Sequence, residues 1–195
     1  MIESLKAVDL ALFVFLNSLN SNVLNGFMTF ASGYLIWIPF LFYILWQANK
    51  QLTLRTASLF MLFIFLAIIA SDTTASYILK NIFTRLRPCR DLEVKPLIYY
   101  FGQRCGGKFG FVSSHAANSF AIIAFSMKAL GLRGFQKVLW ILPVIIGYSR
   151  IYLGVHYPGD ILGGSLVGLL WGTILALIFR DSVKEQDENA PKSFS

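Results

Sequence analysis

The chain has 195 residues, a net charge of +7, a hydrophobic fraction of 56% and a charged fraction of only 14%. A soluble domain carries about 25% charged residues, so the composition excludes an ordinary soluble domain and predicts a one-domain integral membrane protein. The positive charge does not indicate a nucleic-acid partner, because membrane topology and anionic headgroups account for basic residues in loops and at helix ends.

The apolar residues predict membrane helices in chain order. A first, short segment, 5–19, contains Asp9 and fits either a tilted span, which we prefer, or an amphipathic helix in the interface. The longer segments are each about 20 residues long, the length that crosses a bilayer core of about 30 Å; they are 23–48, 56–79, 112–131, 135–156 and 158–179. The sequence therefore predicts an all-α bundle of about six transmembrane helices in one domain, 1–180. We expect no cleaved signal in 1–30 and a disordered polar tail at 181–195.

Polar residues gather in three clusters at the ends of these segments. The clusters are Lys80 with Arg87-Pro88, then Ser113-Ser114-His115, then Ser149-Arg150 with His156 and Asp160. Alternating spans place all three clusters at one membrane face. When their own cations are set aside, more Lys and Arg residues lie at the opposite face, which predicts that the cluster face lies outside the cytoplasm.

The two cysteines, Cys89 and Cys105, lie in the loop between the first and second clusters. In an oxidising compartment they can form a disulfide, and closing such a loop would stabilise the fold by roughly 3 kcal/mol. The alternative is two unrelated thiols.

The clusters contain the groups that phosphoryl transfer requires. Lys80 and Arg87 are spaced by two helical turns, so we expect both cations on one helix face before Pro88 ends the helix. Ser113 and Ser114 begin a span, where free backbone N–H groups attract anions. Each feature also has a structural explanation, since a cation can anchor a span end and a serine can cap a helix.

The histidines complete the predicted site. His156 is the best nucleophile, because Asp160 is spaced to share its helix face and to hold its other N–H. His115 is left as the acid that protonates the leaving oxygen. Arg150 joins the other two cations in place of the metal of many phosphoryl-transfer enzymes, so we expect no metal and no cofactor. Asp72 is a candidate for orienting Lys80.

These motifs resemble the three signature motifs of the type 2 phosphatidic acid phosphatase superfamily over about residues 56–179. The resemblance implies a six-span, metal-independent phosphatase that acts through a phosphohistidine on His156, with Asp160 as its partner and His115 as general acid. It also implies a set of phosphate-binding residues: Lys80, Arg87, Ser113, Ser114 and Arg150. The second motif of the family usually reads Pro-Ser-Gly-His, whereas this chain reads Val112-Ser113-Ser114-His115. Ser114 adds a hydroxyl and restricts the backbone there.

The resemblance also implies a substrate class and a location. We expect a lipid phosphate in the bacterial inner membrane, with the site facing the periplasm or exterior and with Tyr99, Tyr100 and Phe101 at headgroup depth. Undecaprenyl diphosphate ranks first, lipid A second, and phosphatidylglycerol phosphate is a further candidate. A non-catalytic lipid-phosphate binder or transporter would not need two histidines, and a soluble vanadate haloperoxidase would not need apolar spans.

The last predicted span carries a face of small residues, Gly164, Gly168 and Gly172. Such a face lets a neighbouring helix approach closely. Because it begins one helical turn after Asp160, we expect the packing there to help to position that carboxylate.

Overall fold

The computed structural model describes residues 2–100 and 105–188, and these contain helices and no β-strand. The α-helices are α1 (Ile2–Ser18), α2 (Asn22–Ala31), α3 (Trp37–Gln51), α4 (Leu54–Thr73), α5 (Lys80–Phe83), α6 (Ser114–Ala129), α7 (Ile141–Tyr152) and α8 (Pro158–Glu188). A π-helical turn, Thr74–Leu79, joins α4 to α5, and a 3-10 helix, Gly134–Trp140, leads into α7. The predicted all-α class is confirmed.

The centre of the bundle is an aromatic core between α4, α6 and α8. Phe60 and Phe63 of α4 pack against Phe125 of α6 and Phe179 of α8, with ring centroids 5.1 Å apart for Phe60 and Phe125 and 5.7 Å apart for Phe63 and Phe179. Edge-to-face and tilted contacts of this kind add to the free energy that apolar burial contributes. The core therefore joins the helix that leads to the first cluster with the two helices that begin at the second and third clusters.

Helices α6 and α8 touch backbone to backbone along the predicted glycine face. A Cβ atom on Gly164, Gly168 or Gly172 would collide with the carbonyl oxygens of Ser113, Ala117 and Ala121, respectively. Only glycine permits this approach, which brings the start of α6 beside the start of α8. The opposite side of α8 exposes Leu162, Leu166 and Leu170 by 67%, 68% and 57%, as expected for a helix that faces lipid.

Within the described residues, two helical stretches are long and apolar enough to cross a membrane: Leu54–Phe83 and Pro158–Glu185, each with a mean hydropathy of 2.1. A third qualifies if α1 and α2, which meet at 116°, count as one broken span. Helices α3, α6 and α7 have 15, 16 and 12 residues, fewer than the about 20 that a straight span needs. The fold is that of a membrane bundle, and the number of six spans stays a prediction.

The predicted span 23–48 is broken in the structure. Helix α2 ends at Ala31 and α3 begins at Trp37. Ser32 and Gly33 are poor helix formers, and the chain turns there through a hydrogen bond from the Trp37 N–H to the Tyr34 carbonyl. The sequence did not predict this break, because apolar residues continue on both sides of it.

Helix α1 lies against the cluster end of the bundle. Asp9 accepts a hydrogen bond from the N–H of Gly159 at 2.7 Å, and Asn17 donates to the carbonyl oxygens of Ile151 and Tyr152 at 3.2 and 2.9 Å. The two side chains are about 12 Å apart along the helix, so a helix running from face to face would not bring both to one end. The contacts favour the interfacial helix, the alternative to the span that we preferred for 5–19.

Helix α8 continues beyond the predicted domain boundary at residue 180. Residues 181–188, the start of the predicted tail, are helical in the structure, and Lys, Glu and Gln can sustain a helix in water without burial. Residues 189–195, and Phe101 in the predicted headgroup loop, lie outside the described residues.

Candidate active site

The three clusters meet at one end of the bundle. The Arg87 guanidinium lies 2.9 Å from Nε2 of His156 and so joins the first cluster to the third. The Lys80 ammonium donates to the Ser114 hydroxyl at 2.6 Å and joins the first to the second. The Ser113 N–H donates to the carbonyl oxygen of Asp160 at 2.9 Å. Direct contacts therefore connect all three clusters.

His156 lies in the turn before α8 rather than on a helix face shared with Asp160. Pro158 is the first residue of α8, a position where its missing N–H costs nothing. The Asp160 carboxylate reaches back from the first turn: Oδ2 accepts from the Tyr157 N–H at 3.0 Å and lies 3.2 Å from Nδ1 of His156. This helix-capping contact positions the imidazole, and both residues are fully or almost fully buried.

Arg87 is also placed by a loop, which corrects the prediction that Lys80 and Arg87 share a helix face. Helix α5 ends at Phe83, since Thr84 adopts a left-handed conformation with φ of 44°. The extended segment that follows holds Arg87 through its N–H, which donates to the Lys108 carbonyl, and through Nε, which donates to the Phe109 carbonyl at 3.2 Å. A hairpin-like loop therefore aims the guanidinium at His156.

Lys80 ends a half-buried chain of polar contacts. The Ser114 hydroxyl that accepts from Lys80 lies 2.8 Å from the Ser76 hydroxyl. Asp72 Oδ1 accepts from Ser76 and from the Asn118 amide, both at 3.3 Å. Two hydroxyls therefore link Asp72 to Lys80 by hydrogen bonds. Ser76 belongs to the π-helical turn Thr74–Leu79, which directly precedes Lys80. Such turns are frequent at functional sites.

The structure gives Ser113 and Arg150 different surroundings. Ser113 is fully buried, and its hydroxyl caps α6 by accepting from the Ala116 N–H at 3.5 Å. The Ser113 N–H is bonded to the Asp160 carbonyl, so the donor that Ser113 keeps for a phosphate is its hydroxyl O–H. Arg150 donates to the Ser32 hydroxyl, while its buried Nε has no hydrogen-bond partner among the described residues.

Burial and positive charge dominate the electrostatics at His156. Burial, followed by the charges of Arg87, Arg150 and Lys80, holds the pKa of His156 well below its usual value of 6.5, so the imidazole is neutral. Burial also lowers the pKa of Arg87 and raises that of Tyr157 to about 12. Over residues 2–100 and 105–188, no three His, Cys, Asp or Glu side chains form a group that could hold a metal ion.

His115 lies on the wall of a cavity of about 480 Å³ between α3, α4, α6 and α7. The polar part of the wall includes His115, Ser114, Asp72 and Asn118. The apolar part includes Trp37, Leu41, Ile68, Ile122 and Ile146. The cavity therefore offers hydrogen-bonding groups beside the clusters and apolar surface farther along.

Sequence reasoning gave no role in the site to three residues that the structure places near Asp160, namely Arg85, Asp9 and Gly110. Arg85 Nη1 lies 3.3 Å from Asp160 Oδ1 and 2.6 Å from Asp9 Oδ2. A Cβ on Gly110 would lie 2.9 Å from Asp160 Oδ2 and 3.2 Å from Cγ of Arg87, so the loop needs glycine there. The carboxylate of Asp9, unusual in an apolar segment, was the one available signal.

Cys89 and Cys105 are joined in a disulfide, the pairing that the sequence analysis considered. The bond ties the segment after Arg87 to the strand-like segment that returns towards Gly110. Arg90 adds a hydrogen bond across the same loop, to the Gly106 carbonyl at 3.1 Å. The loop that carries Arg87 is therefore cross-linked.

An apolar helical bundle that gathers cations around a buried histidine is suited to phosphate chemistry at a membrane. Comparison with known proteins identifies the family: the PAP2 superfamily model matches residues 61–184, and the chain belongs to that superfamily. A lipid A 4'-phosphatase of Bacteroides thetaiotaomicron is 33% identical over 91% of this chain and 80% of its own length. An undecaprenyl-diphosphatase of Sulfolobus acidocaldarius is 28% identical over 82% of this chain and 73% of its own.

The fold has a solved counterpart. The crystal structure of a transmembrane PAP2-type phosphatidylglycerolphosphate phosphatase from Bacillus subtilis matches with a TM-score of 0.63 and 21% identity, over 98% of this chain and 90% of that chain. The predicted family, the helical membrane fold and the enzyme class, a phosphoric ester hydrolase, are confirmed.

Proposed function

We propose that this protein dephosphorylates a phosphorylated saccharide lipid of the lipid A type through a phosphohistidine on His156. The observation that carries the proposal is the placement of the His156 imidazole, with the Asp160 carboxylate at Nδ1 and the Arg87 guanidinium at Nε2. A neutral imidazole can attack phosphorus through Nε2, and Asp160 offsets the positive charge that develops on the ring.

The reaction proceeds in two displacements. In the first, the Nε2 lone pair of His156 forms a bond to phosphorus, the bond from phosphorus to the lipid oxygen breaks, and His115 protonates that oxygen. In the second, water attacks the phosphohistidine, His115 takes the proton, and the P–N bond breaks to release inorganic phosphate. Lys80, Arg87 and Arg150 stabilise the charge on the phosphoryl oxygens in both steps.

Arg150 supports an anionic ligand in particular. Its side chain is only 9% exposed, and its Nε donor is unpaired among the described residues. Buried donors of folded proteins are almost always hydrogen-bonded, and a charged donor left unpaired is costly. A phosphate oxygen would satisfy this donor.

The cavity beside His115 favours a saccharide phosphate over the first-ranked substrate, undecaprenyl diphosphate. The Asp72 carboxylate and the Asn118 amide on its wall suit the hydroxyl and amide groups of a sugar headgroup. A second phosphate would instead meet the negative charge of Asp72. The similarity of the chain to a lipid A 4'-phosphatase, which ranked second in the sequence analysis, supports the same choice.

We further propose that the protein lies in the bacterial inner membrane with its site on the periplasmic side. The cross-linked loop of Cys89 and Cys105 lies at the cluster end, and disulfides persist in oxidising compartments. This agrees with the excess of basic residues at the opposite face.

A substrate panel tests the proposal. Phosphate release by the purified protein is measured with lipid A, undecaprenyl diphosphate, phosphatidylglycerol phosphate and phosphatidic acid, with His156→Gln as the blank. We expect the highest kcat/KM for lipid A, activity that persists in chelator, and an acid-labile phosphoenzyme absent from His156→Gln. A preference for undecaprenyl diphosphate would overturn the saccharide assignment, and a phosphoenzyme in folded His156→Gln would overturn the nucleophile.

His115→Ala tests the acid. Its phosphoenzyme should form slowly from a lipid alkoxide and faster from a leaving group that needs no proton. Equal slowing with both leaving groups would contradict the role of His115.

A further inference from the structure

We propose that Asp9 of α1 is a positioning residue that acts on Asp160 through Arg85 and Gly159, an inference that rests on the proposed function of the site. Asp9 Oδ2 lies 2.6 Å from Arg85 Nη1, and the same nitrogen lies 3.3 Å from Asp160 Oδ1. Asp9 Oδ1 accepts from the N–H of Gly159, the residue before Asp160, at 2.7 Å. One carboxylate therefore holds two groups that flank Asp160.

Asp9 does not serve to expose a charge to water, because its side chain faces the bundle. The outward stripe of α1 is apolar and exposed, and consists of Leu5, Val8, Leu12 and Phe15. Asp9 lies on the other side of the helix, where its side chain is 16% exposed and faces the bundle. A carboxylate turned inward on an apolar helix is costly unless it is paired, and its partners here are Arg85 and Gly159.

Arg85 also depends on Asp9 for its placement. Its guanidinium is 25% exposed and stacks on the Tyr157 ring at 3.8 Å. The contact to Asp9 is shorter than the contact to Asp160, so the positive charge of Arg85 is shared between two carboxylates. Without Asp9, that charge would act on Asp160 alone and would weaken its stabilisation of a cationic His156.

Loss of Asp9 should therefore slow the first displacement without weakening phosphate binding. The first turn of α8 would lose its anchor at Gly159, and misplacement of a catalytic group by about 1 Å can cost about 100-fold. The phosphate-binding cations Lys80, Arg87 and Arg150 do not contact Asp9 in the structure. We expect kcat to fall by about 10- to 100-fold in Asp9→Ala, with KM near the parent value.

The variants separate positioning from folding. Asp9→Asn keeps an acceptor for the Gly159 N–H but removes the charge opposite Arg85, and Asp9→Glu restores both. Glu3→Gln removes an exposed charge from the same helix and is the matched control. We expect slow phosphoenzyme formation in Asp9→Asn, recovery in Asp9→Glu, parent rates in Glu3→Gln, and no added effect of Asp9→Asn in an Arg85→Gln background.

A spectroscopic readout makes the test independent of turnover. In a His115→Ala background, His156 is the one histidine, since the chain has two, and its ¹⁵N signals report which ring nitrogen carries the proton. We expect the Nδ1–H form in both backgrounds, because Arg87 engages Nε2, and a shifted Nδ1 signal in Asp9→Asn as the Asp160 carboxylate changes position. Parent kcat and unchanged ¹⁵N signals in folded Asp9→Asn would overturn the inference, whereas a parent protein that releases no phosphate would overturn the proposed function alone.

Discussion

Arg87 donates to Nε2 of His156 at 2.9 Å, so the lone pair that must attack phosphorus is engaged by a cation. An arginine has no acceptor, so Nε2 accepts and Nδ1 carries the proton that faces Asp160. This is the tautomer that a nucleophilic Nε2 requires. Attack requires the guanidinium to leave Nε2, and phosphoryl oxygens are the ligands to which its planar fork can move.

Arg87→Lys should reduce kcat/KM although it preserves the charge. A lysine cannot replace the fork that contacts His156, Phe109 and Val155 together. Loss of one charge-assisted hydrogen bond costs about 1.5–3 kcal/mol, which is roughly 10- to 100-fold. Kinetics on the preferred lipid phosphate measure this effect, with Lys108→Arg in the same loop as a control. A fully active Arg87→Lys would show that charge alone suffices.

The lowered pKa of His156 predicts its titration. The imidazole should stay neutral as the pH falls through 6.5, where a free histidine takes up a proton. The unfolded chain binds that proton and the folded chain resists it, so stability from this group is present above 6.5 and is lost on acidification below it. ¹⁵N titration of His156 in the His115→Ala variant measures the pKa directly, and a midpoint at or above 6.5 would contradict the prediction.

Ser114→Gly, which restores the usual residue of the family motif, should leave the enzyme active. The hydroxyl accepts from Lys80 at 2.6 Å, so its removal loosens one donor of the site but keeps the backbone N–H at the start of α6. We expect kcat/KM to fall by about tenfold, the low end of the range for a hydrogen bond to a charged group, and a much larger loss in Lys80→Ala. Equal losses in the two variants would give the Ser114 hydroxyl a direct part in catalysis.

The sequence predicted which residues lie together in the site, but not the backbone conformations that place them there. Arg87, His115, His156 and Asp160 were identifiable because their chemistry and spacing are unusual in apolar spans. The left-handed Thr84 and the loop geometry of Arg87 were not, because helical spacing alone cannot show where a helix ends. The contact between Asp9 and Arg85 joins residues far apart in the chain, so no local pattern marks it.

The disulfide between Cys89 and Cys105 should stabilise the loop that aims Arg87. In the chain-entropy model a loop of this length contributes roughly 3 kcal/mol, and the separation of the two cysteines is 16 residues. We expect Cys89→Ser/Cys105→Ser to unfold at lower denaturant concentration and reductant to reproduce this shift in the parent only. A thiol reagent that finds two free thiols in the non-reduced parent would contradict the pairing.

Gly164→Leu should destabilise the bundle and displace Asp160. A side chain at Gly164 would collide with the Ser113 carbonyl and crowd Ala116 Cβ at 3.1 Å, and overpacking of this kind costs about 1–3 kcal/mol. Because the Ser113 N–H is bonded to the Asp160 carbonyl, separation of α6 from α8 also disturbs the partner of His156. Gly26→Leu in α2 is the matched control, since a Cβ there meets nothing within 4 Å. The thermal unfolding temperature and kcat should both fall in Gly164→Leu and stay at the parent values in Gly26→Leu. Parent values in Gly164→Leu would show that the two helices can separate without moving the carboxylate.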